Sequence, residues 1–283
     1  MLRSVSGSNS SRGIAAVVGV GPRLGSAVAR KFASEGYTIA ILSRDLGTSI
    51  YPLAHSSVLL PCILPRSSFD RKKLSQLAEE IAQEAKAQVF ALRVDCADAR
   101  SVREAFEGVL SLGPVEVLVY NACEPPPAND DDAAAARPTP FLAVTPDVFH
   151  RALAVSAGGA FHCAQQVIPG MVERGRGTII FTGSSASVTG FAGYSDLSCG
   201  KFALRGLSQS LAREFQPAGV HIAHVIIDGV IGERRSPRGS RAGSAGDRAG
   251  ADPDAVAQSY WHVHAQDKSA WTHEMDIRSP SFM

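Results

Sequence analysis

Residues 14–45, IAAVVGVGPRLGSAVARKFASEGYTIAILSRD, decide how the rest of the chain is read. The apolar run 14–20 shows no polar alternation, so it reads as a strand buried on both faces of a parallel sheet. It breaks into a turn bearing Gly19, Gly21 and Gly25. Leu24, Val28 and Phe32 then recur at the spacing of one helix face, and Gly36 stops that helix. A second apolar run, 38–42, follows. Strand, glycine turn, helix and strand in this order aim the first N–H groups of the helix at a pyrophosphate. Gly19 lets the chain turn, and Gly25 lets helix and strand pack closely. The spacing, G-x-G-x-x-x-G, is one residue longer than the dinucleotide-binding G-x-G-x-x-G. The order of the elements, more than the glycines, carries the nucleotide reading.

Composition bounds the rest. A chain of 283 residues with 45% hydrophobic content suits one α/β domain with an ample core. A net charge of +1 argues against an extended nucleic-acid surface. Five scattered cysteines with no C-x-x-C pair read as a reduced, intracellular protein without a disulfide framework. His262 and His264 alternate, but no ligand pattern completes a metal site around them. No apolar run approaches the ~20 residues that cross a bilayer. The serine- and arginine-rich residues 1–12 read as a flexible tail ahead of a domain spanning 13–283. The expected compartment is the cytoplasm; the same composition also fits a short organelle-import peptide.

Beyond Asp45 the pattern is interrupted. Residues 46–70 separate the second strand from a helix whose Leu74, Leu77, Ala78, Ile81, Ala82 and Ala85 share one face. Strand-to-helix links are usually about 2–6 residues, so this stretch reads as an atypical insertion or as a translated intron. Alternation then resumes with strands at 88–94, 115–120, 178–181 and 221–227. Asp98 caps one helix, and Thr145-Pro146 opens another that runs to about Gln166. A third helix reaches Phe215. The acidic triplet 130–132 reads as a solvated loop, and residues 233–251, rich in Arg, Gly and Ser, as a flexible segment. Asp252-Pro253 restarts a helix, and Trp271, His273, Met275 and Ile277 alternate as a last strand would. The expected fold is α/β, a single-domain, Rossmann-like, doubly wound parallel sheet with helices on both faces.

With these landmarks in place, residues 14–229 resemble the short-chain dehydrogenase/reductase family. The family's first motif, G-x-x-x-G-x-G, appears here as Gly19-Val20-Gly21-Pro22-Arg23-Leu24-Gly25, with Arg23 in the middle glycine's place. The acid after strand three is Asp95, followed by Cys96, and the N-A-G motif is Asn121-Ala122-Cys123. Ser43-Arg44 ends strand two, and a cation there implies NADP ahead of NAD. The resemblance therefore implies cofactor contacts at Gly19, Gly21, Arg23, Leu24, Gly25, Ser43, Arg44, Asp95, Cys96, Asn121, Ala122 and Lys201.

Of the family's catalytic Asn, Ser, Tyr and Lys, the serine matches Ser184 and the lysine matches Lys201. The asparagine position holds Ser156 and the tyrosine position holds Leu197, which has no proton to transfer. Tyr194, seven residues before Lys201, stands roughly 10 Å along a helix axis instead of about 6 Å. Its phenol substitutes only if that turn is helical or folds back; otherwise it lines the pocket mouth. Asp228-Gly229 replaces the family's Pro-Gly after the sixth strand. The resemblance implies an NADP-dependent oxidoreductase acting on a small carbonyl or alcohol substrate. The altered residues keep open a binding homologue of little turnover, acting as sensor or partner subunit. Neither a metal, a nucleic acid nor a membrane is an expected partner, and pairing into a homodimer or homotetramer is.

Overall fold

The computed structural model describes residues 12–44, 71–124, 138–232 and 250–279. Most of the N-terminal tail, the stretch 46–70, the acidic loop and the arginine-rich segment lie outside the described residues. Seven parallel strands form one sheet: β1 (Ile14–Val18), β2 (Thr38–Ser43), β3 (Val89–Arg93), β4 (Val115–Tyr120), β5 (Gly177–Thr182), β6 (Val220–Asp228) and β7 (Glu274–Arg278). Their order is β3-β2-β1-β4-β5-β6-β7. The chain winds outward from β1 to β3, then returns to β4 on the other side of β1. That reversal opens a crevice at the C-terminal ends of β1 and β4, the place where open α/β sheets bind ligands.

Alternation along each strand feeds two cores. Ala16, Val18, Ala40, Leu42, Leu118 and Phe181 face α3 (Ala99–Leu112), α5 (Gly159–Glu173) and α6 (Ser195–Phe215). Ala15, Val17, Ile39, Ile41, Val119 and Ala223 face α1 (Leu24–Ser34), α2 (Arg71–Ala85) and α7 (Pro253–His264). A central strand therefore reads as a continuous apolar run because each side chain has its own helix layer to bury against. Each fully buried aliphatic side chain contributes about 1.5–3 kcal/mol of transfer free energy.

The caps follow the sequence. Asp98 accepts the Arg100 N–H at 2.9 Å, Thr145 accepts that of Val148 at 3.3 Å, and Asp252 accepts that of Asp254 at 3.0 Å. Gly36 takes a φ of +90°, which releases the chain into β2. Three details differ from expectation. The helix α4 (Pro146–Leu153) passes through a wider π-type turn, Ala154–Gly158, directly into α5, and so runs past Gln166 to Glu173. Pro169 forfeits one intrahelical bond there, but buried Val167, Ile168 and Met171 keep the helix on the core. The last strand begins at Glu274; Trp271 instead stacks face to face on His221, centroids 4.7 Å apart. Ala251, read as part of a flexible segment, bridges in parallel to Ile231. Among the described residues no helix is long and apolar enough to cross a membrane.

Candidate functional site

The glycine turn is built by close approach. A side chain on Gly19, whose φ is +82°, would collide with the backbone of Asn121 and Ala122. One on Gly25 would come within 2.8 Å of the Val20 Cα. Gly21 is different: among the described residues a methyl group there meets nothing within 4 Å. The Gly19 and Val20 N–H groups are held by the Leu42 carbonyl at 2.9 and 3.2 Å, and the Asn121 side-chain amide donates to the Gly19 carbonyl at 2.9 Å. Arg23, the N-cap residue of α1, gives the helix no side-chain cap and sends its guanidinium to the Ile231 carbonyl, 3.1 Å away. Leu24 is buried in the core beneath the turn. The start of α1 thus faces open space at Gly21, a cradle that fits a diphosphate.

Charge collects at the ends of β2, β3 and β4. Arg44, just past β2, pairs with Glu124 at 2.9 Å. Arg151 of α4 reaches both Glu124, at 3.4 Å, and Asp95, at 3.3 Å. Burial raises the Asp95 carboxyl, but the Ala97 N–H and the Arg151 guanidinium outweigh it and hold the group below its usual range. Ser43 is half-buried beside Arg44. Cys96 turns its thiol into the core, where burial pushes it up to about 11. Ala122 is also buried, flush against the glycine turn.

The ends of β5 and β6 look different. Ser184 follows β5, and its N–H donates to the Ser187 Oγ at 3.1 Å across a short 3-10 turn, Ser185–Ser187. Lys201, on α6, is wholly buried and donates its Nζ proton to the Thr182 carbonyl at 2.9 Å. Ser156 lies on the π-type turn, equally buried, and packs against α6 at Gly200, one residue before Lys201. Tyr194 stands at the N-cap of α6, ahead of its first turn. Its ring packs with Ala186 and Leu197, beside Cys123 and Phe191. Burial raises the Tyr194 phenol, the opposite direction from a phenol poised next to an ammonium. Leu197 belongs to the same apolar cluster. Ser184, Lys201 and Ser156 therefore converge on adjoining elements, and no proton donor stands at position 197.

Two groups behind this end are unmarked by any motif. The Thr182 hydroxyl meets the Tyr260 phenol at 2.8 Å. His224 of β6 meets Glu274 at 3.0 Å, and Arg205 grips the same carboxylate at 2.7 and 2.8 Å. A side chain on Gly183 would run into the His224 imidazole. Burial, with Lys201 and Arg205 adding to it, outweighs Glu274 and lowers His224 to about 4. Glu124 and Arg151 were missed as well. The acid next to Asn121-Ala122-Cys123 was the available signal for Glu124; Arg151 had none, because its role depends on where α4 crosses the strand ends. Among the described residues no cluster could hold a metal ion.

The family model described as short chain dehydrogenase matches residues 66–237, starting inside the atypical stretch that follows β2. The chain is 32% identical over 158 residues to 3-dehydrosphinganine reductase of Danio rerio, an alignment covering 54% of this chain and 44% of that protein. It is 35% identical over 133 residues to 17-beta-hydroxysteroid dehydrogenase type 1 of Homo sapiens, covering 47% and 37%. The matched part thus spans less than half the length of either relative. A short-chain dehydrogenase structure from Rhodopseudomonas palustris superposes with a TM-score of 0.70 at 29% identity, covering 94% of this chain and 98% of that one.

Proposed function

Because the chain belongs to the short-chain dehydrogenase family, we propose that it is an NADP-dependent oxidoreductase acting on a small carbonyl or alcohol by hydride transfer. The observation that carries the reading is the open cradle at Gly21 before the uncapped start of α1. Arg44 stands at the end of β2, where a cation recognises a 2′-phosphate, and Asp95 at the end of β3 serves the adenine. When bound, the dinucleotide supplies hydride chemistry at its nicotinamide C4. Lys201 serves the ribose hydroxyls and Ser184 holds the substrate oxygen. Leu197 gives no proton, so a water molecule carries it to or from that oxygen, and turnover is slow for the family. Copies pair through α5 and α6, where Phe161 and Phe202 are exposed, and the protein works in the cytoplasm.

A second reading, an NADP-binding homologue without turnover, is favoured by the apolar packing of Leu197 and Tyr194. Titration with NADPH and NADH, followed by a panel of carbonyls and alcohols, separates the two. Binding with slow nicotinamide turnover supports the enzyme. Binding with none leaves the sensor or partner subunit. Failure to bind either dinucleotide overturns both.

A further inference from the structure

The cation expected to recognise the 2′-phosphate already has a partner. The Arg44 and Glu124 side chains are only 19% and 11% exposed, and they meet at 2.9 Å. The second oxygen of Glu124 lies 3.4 Å from Arg151 Nε, and Arg151 passes on to Asp95. Two guanidiniums and two carboxylates therefore alternate across the ends of β2, β3 and β4, and their formal charges cancel. A phosphate arriving at Arg44 meets the like charge of Glu124, which at about 4 Å costs roughly 1 kcal/mol per unit pair in water and more where water is excluded. A plain ribose hydroxyl meets no such opposition.

We propose that Glu124 sets the cofactor preference: its carboxylate is the resident counter-ion of Arg44, and a 2′-phosphate binds by taking its place. This rests on the dinucleotide reading above. NADH leaves the Arg44–Glu124 pair intact, whereas NADPH has to break it. The preference for NADPH is then weaker than Arg44 alone would give. Arg151 provides for the exchange, because a displaced Glu124 carboxylate keeps one guanidinium partner.

The test is a set of equilibrium titrations, by nicotinamide fluorescence and calorimetry, with NADPH, NADH, 2′,5′-ADP and 5′-AMP. Glu124→Gln keeps the side chain's shape and removes its charge. It should tighten NADPH and 2′,5′-ADP by about tenfold, the worth of one charge-assisted hydrogen bond, and leave NADH and 5′-AMP within about twofold. In an Arg44→Gln background the same change should give no gain. A gain that persists without Arg44, an unchanged NADPH to NADH ratio, or a loss confined to NADH each overturns the inference. The last result would assign the carboxylate to the ribose hydroxyls. Should the Gln protein fail to fold, Glu124→Asp withdraws the charge by one methylene; an intermediate gain supports the proposal and an unchanged ratio overturns it. If wild type and variants bind none of the four ligands, the dinucleotide reading itself falls, and this inference with it. Binding of all four at an unaltered ratio removes this inference alone.

Discussion

The two ends of one cleft contrast sharply. At the ends of β1 to β4 the chain presents an open cradle and a lattice of four charged side chains; at the ends of β5 and β6 it presents wholly buried Ser184, Ser156 and Lys201 beside an apolar cluster. Holding a dinucleotide needs a shape and a field, and both are made by many groups at once. Arg23 stands where the family motif has one glycine and Cys123 where it has another, and Gly19 still lies close against the Asn121–Ala122 backbone. Moving a proton needs one acidic atom at one place, and a single change to Leu197 removes it.

The largest effect belongs to the shape. Gly19→Ala forces a side chain onto a φ of +82° and against the Ala122 backbone, and should cost about 3 kcal/mol of stability. Thermal unfolding checks this, and a midpoint within a degree or two of wild type would mean that the turn relaxes freely. Next comes the missing acid. Leu197→Tyr should raise turnover about 100-fold if the rest of the proton-transfer site is in place. Steady-state kinetics with the best substrate of the panel reads it, and an unchanged rate would mean that the far end of the cleft is not built for chemistry.

A smaller effect is electrostatic and sits under the same end. Folding holds His224 neutral to about pH 4, whereas the unfolded chain takes up that proton near pH 6.5. The unfolded state therefore binds more protons between those values. The stability tied to neutral His224 is complete above pH 6.5 and is lost as pH falls toward 4, about 2 kcal/mol of it by pH 5. Urea midpoints measured across this range should fall, and His224→Gln should make the curve shallower, the rest of the slope coming from His264, which burial likewise lowers to about 4; an equally steep curve in that variant would place the dependence elsewhere. Smallest is Tyr194→Phe. With its phenol buried in the apolar cluster and raised, the change should leave turnover within about twofold. A loss beyond about tenfold would make Tyr194 the proton donor.

The sheet was legible because its central strands are apolar runs bounded by turns, and because βα units repeat. The glycine turn was legible for a related reason: Gly19 and Gly25 are local signals of backbone approach, and they flank the step from β1 to α1 that the periodicity locates. What escaped depends on distance in space. Nothing in Arg151 marks it as the partner of Asp95, 56 positions earlier, until α4 is laid across the strand ends. The Glu274 that His224 and Arg205 share is likewise set by pairing of β6 with β7. Paired charge is hard to foresee because its partner is chosen by topology, which composition does not encode.

Arg23 binds the first turn of the chain to the Ile231 carbonyl, 208 residues later, and Asn121 binds the same turn across 102. During synthesis the N-terminal half leaves the ribosome first. It carries the glycine turn, yet the arginine latch has nothing to close on until β6 and the residues just after it have emerged. The last stitch in this proposed nucleotide cradle is therefore made late. A ligand gripped by that completed cradle would act as a check on assembly, favouring chains whose far half has docked and giving little help to those that stop short.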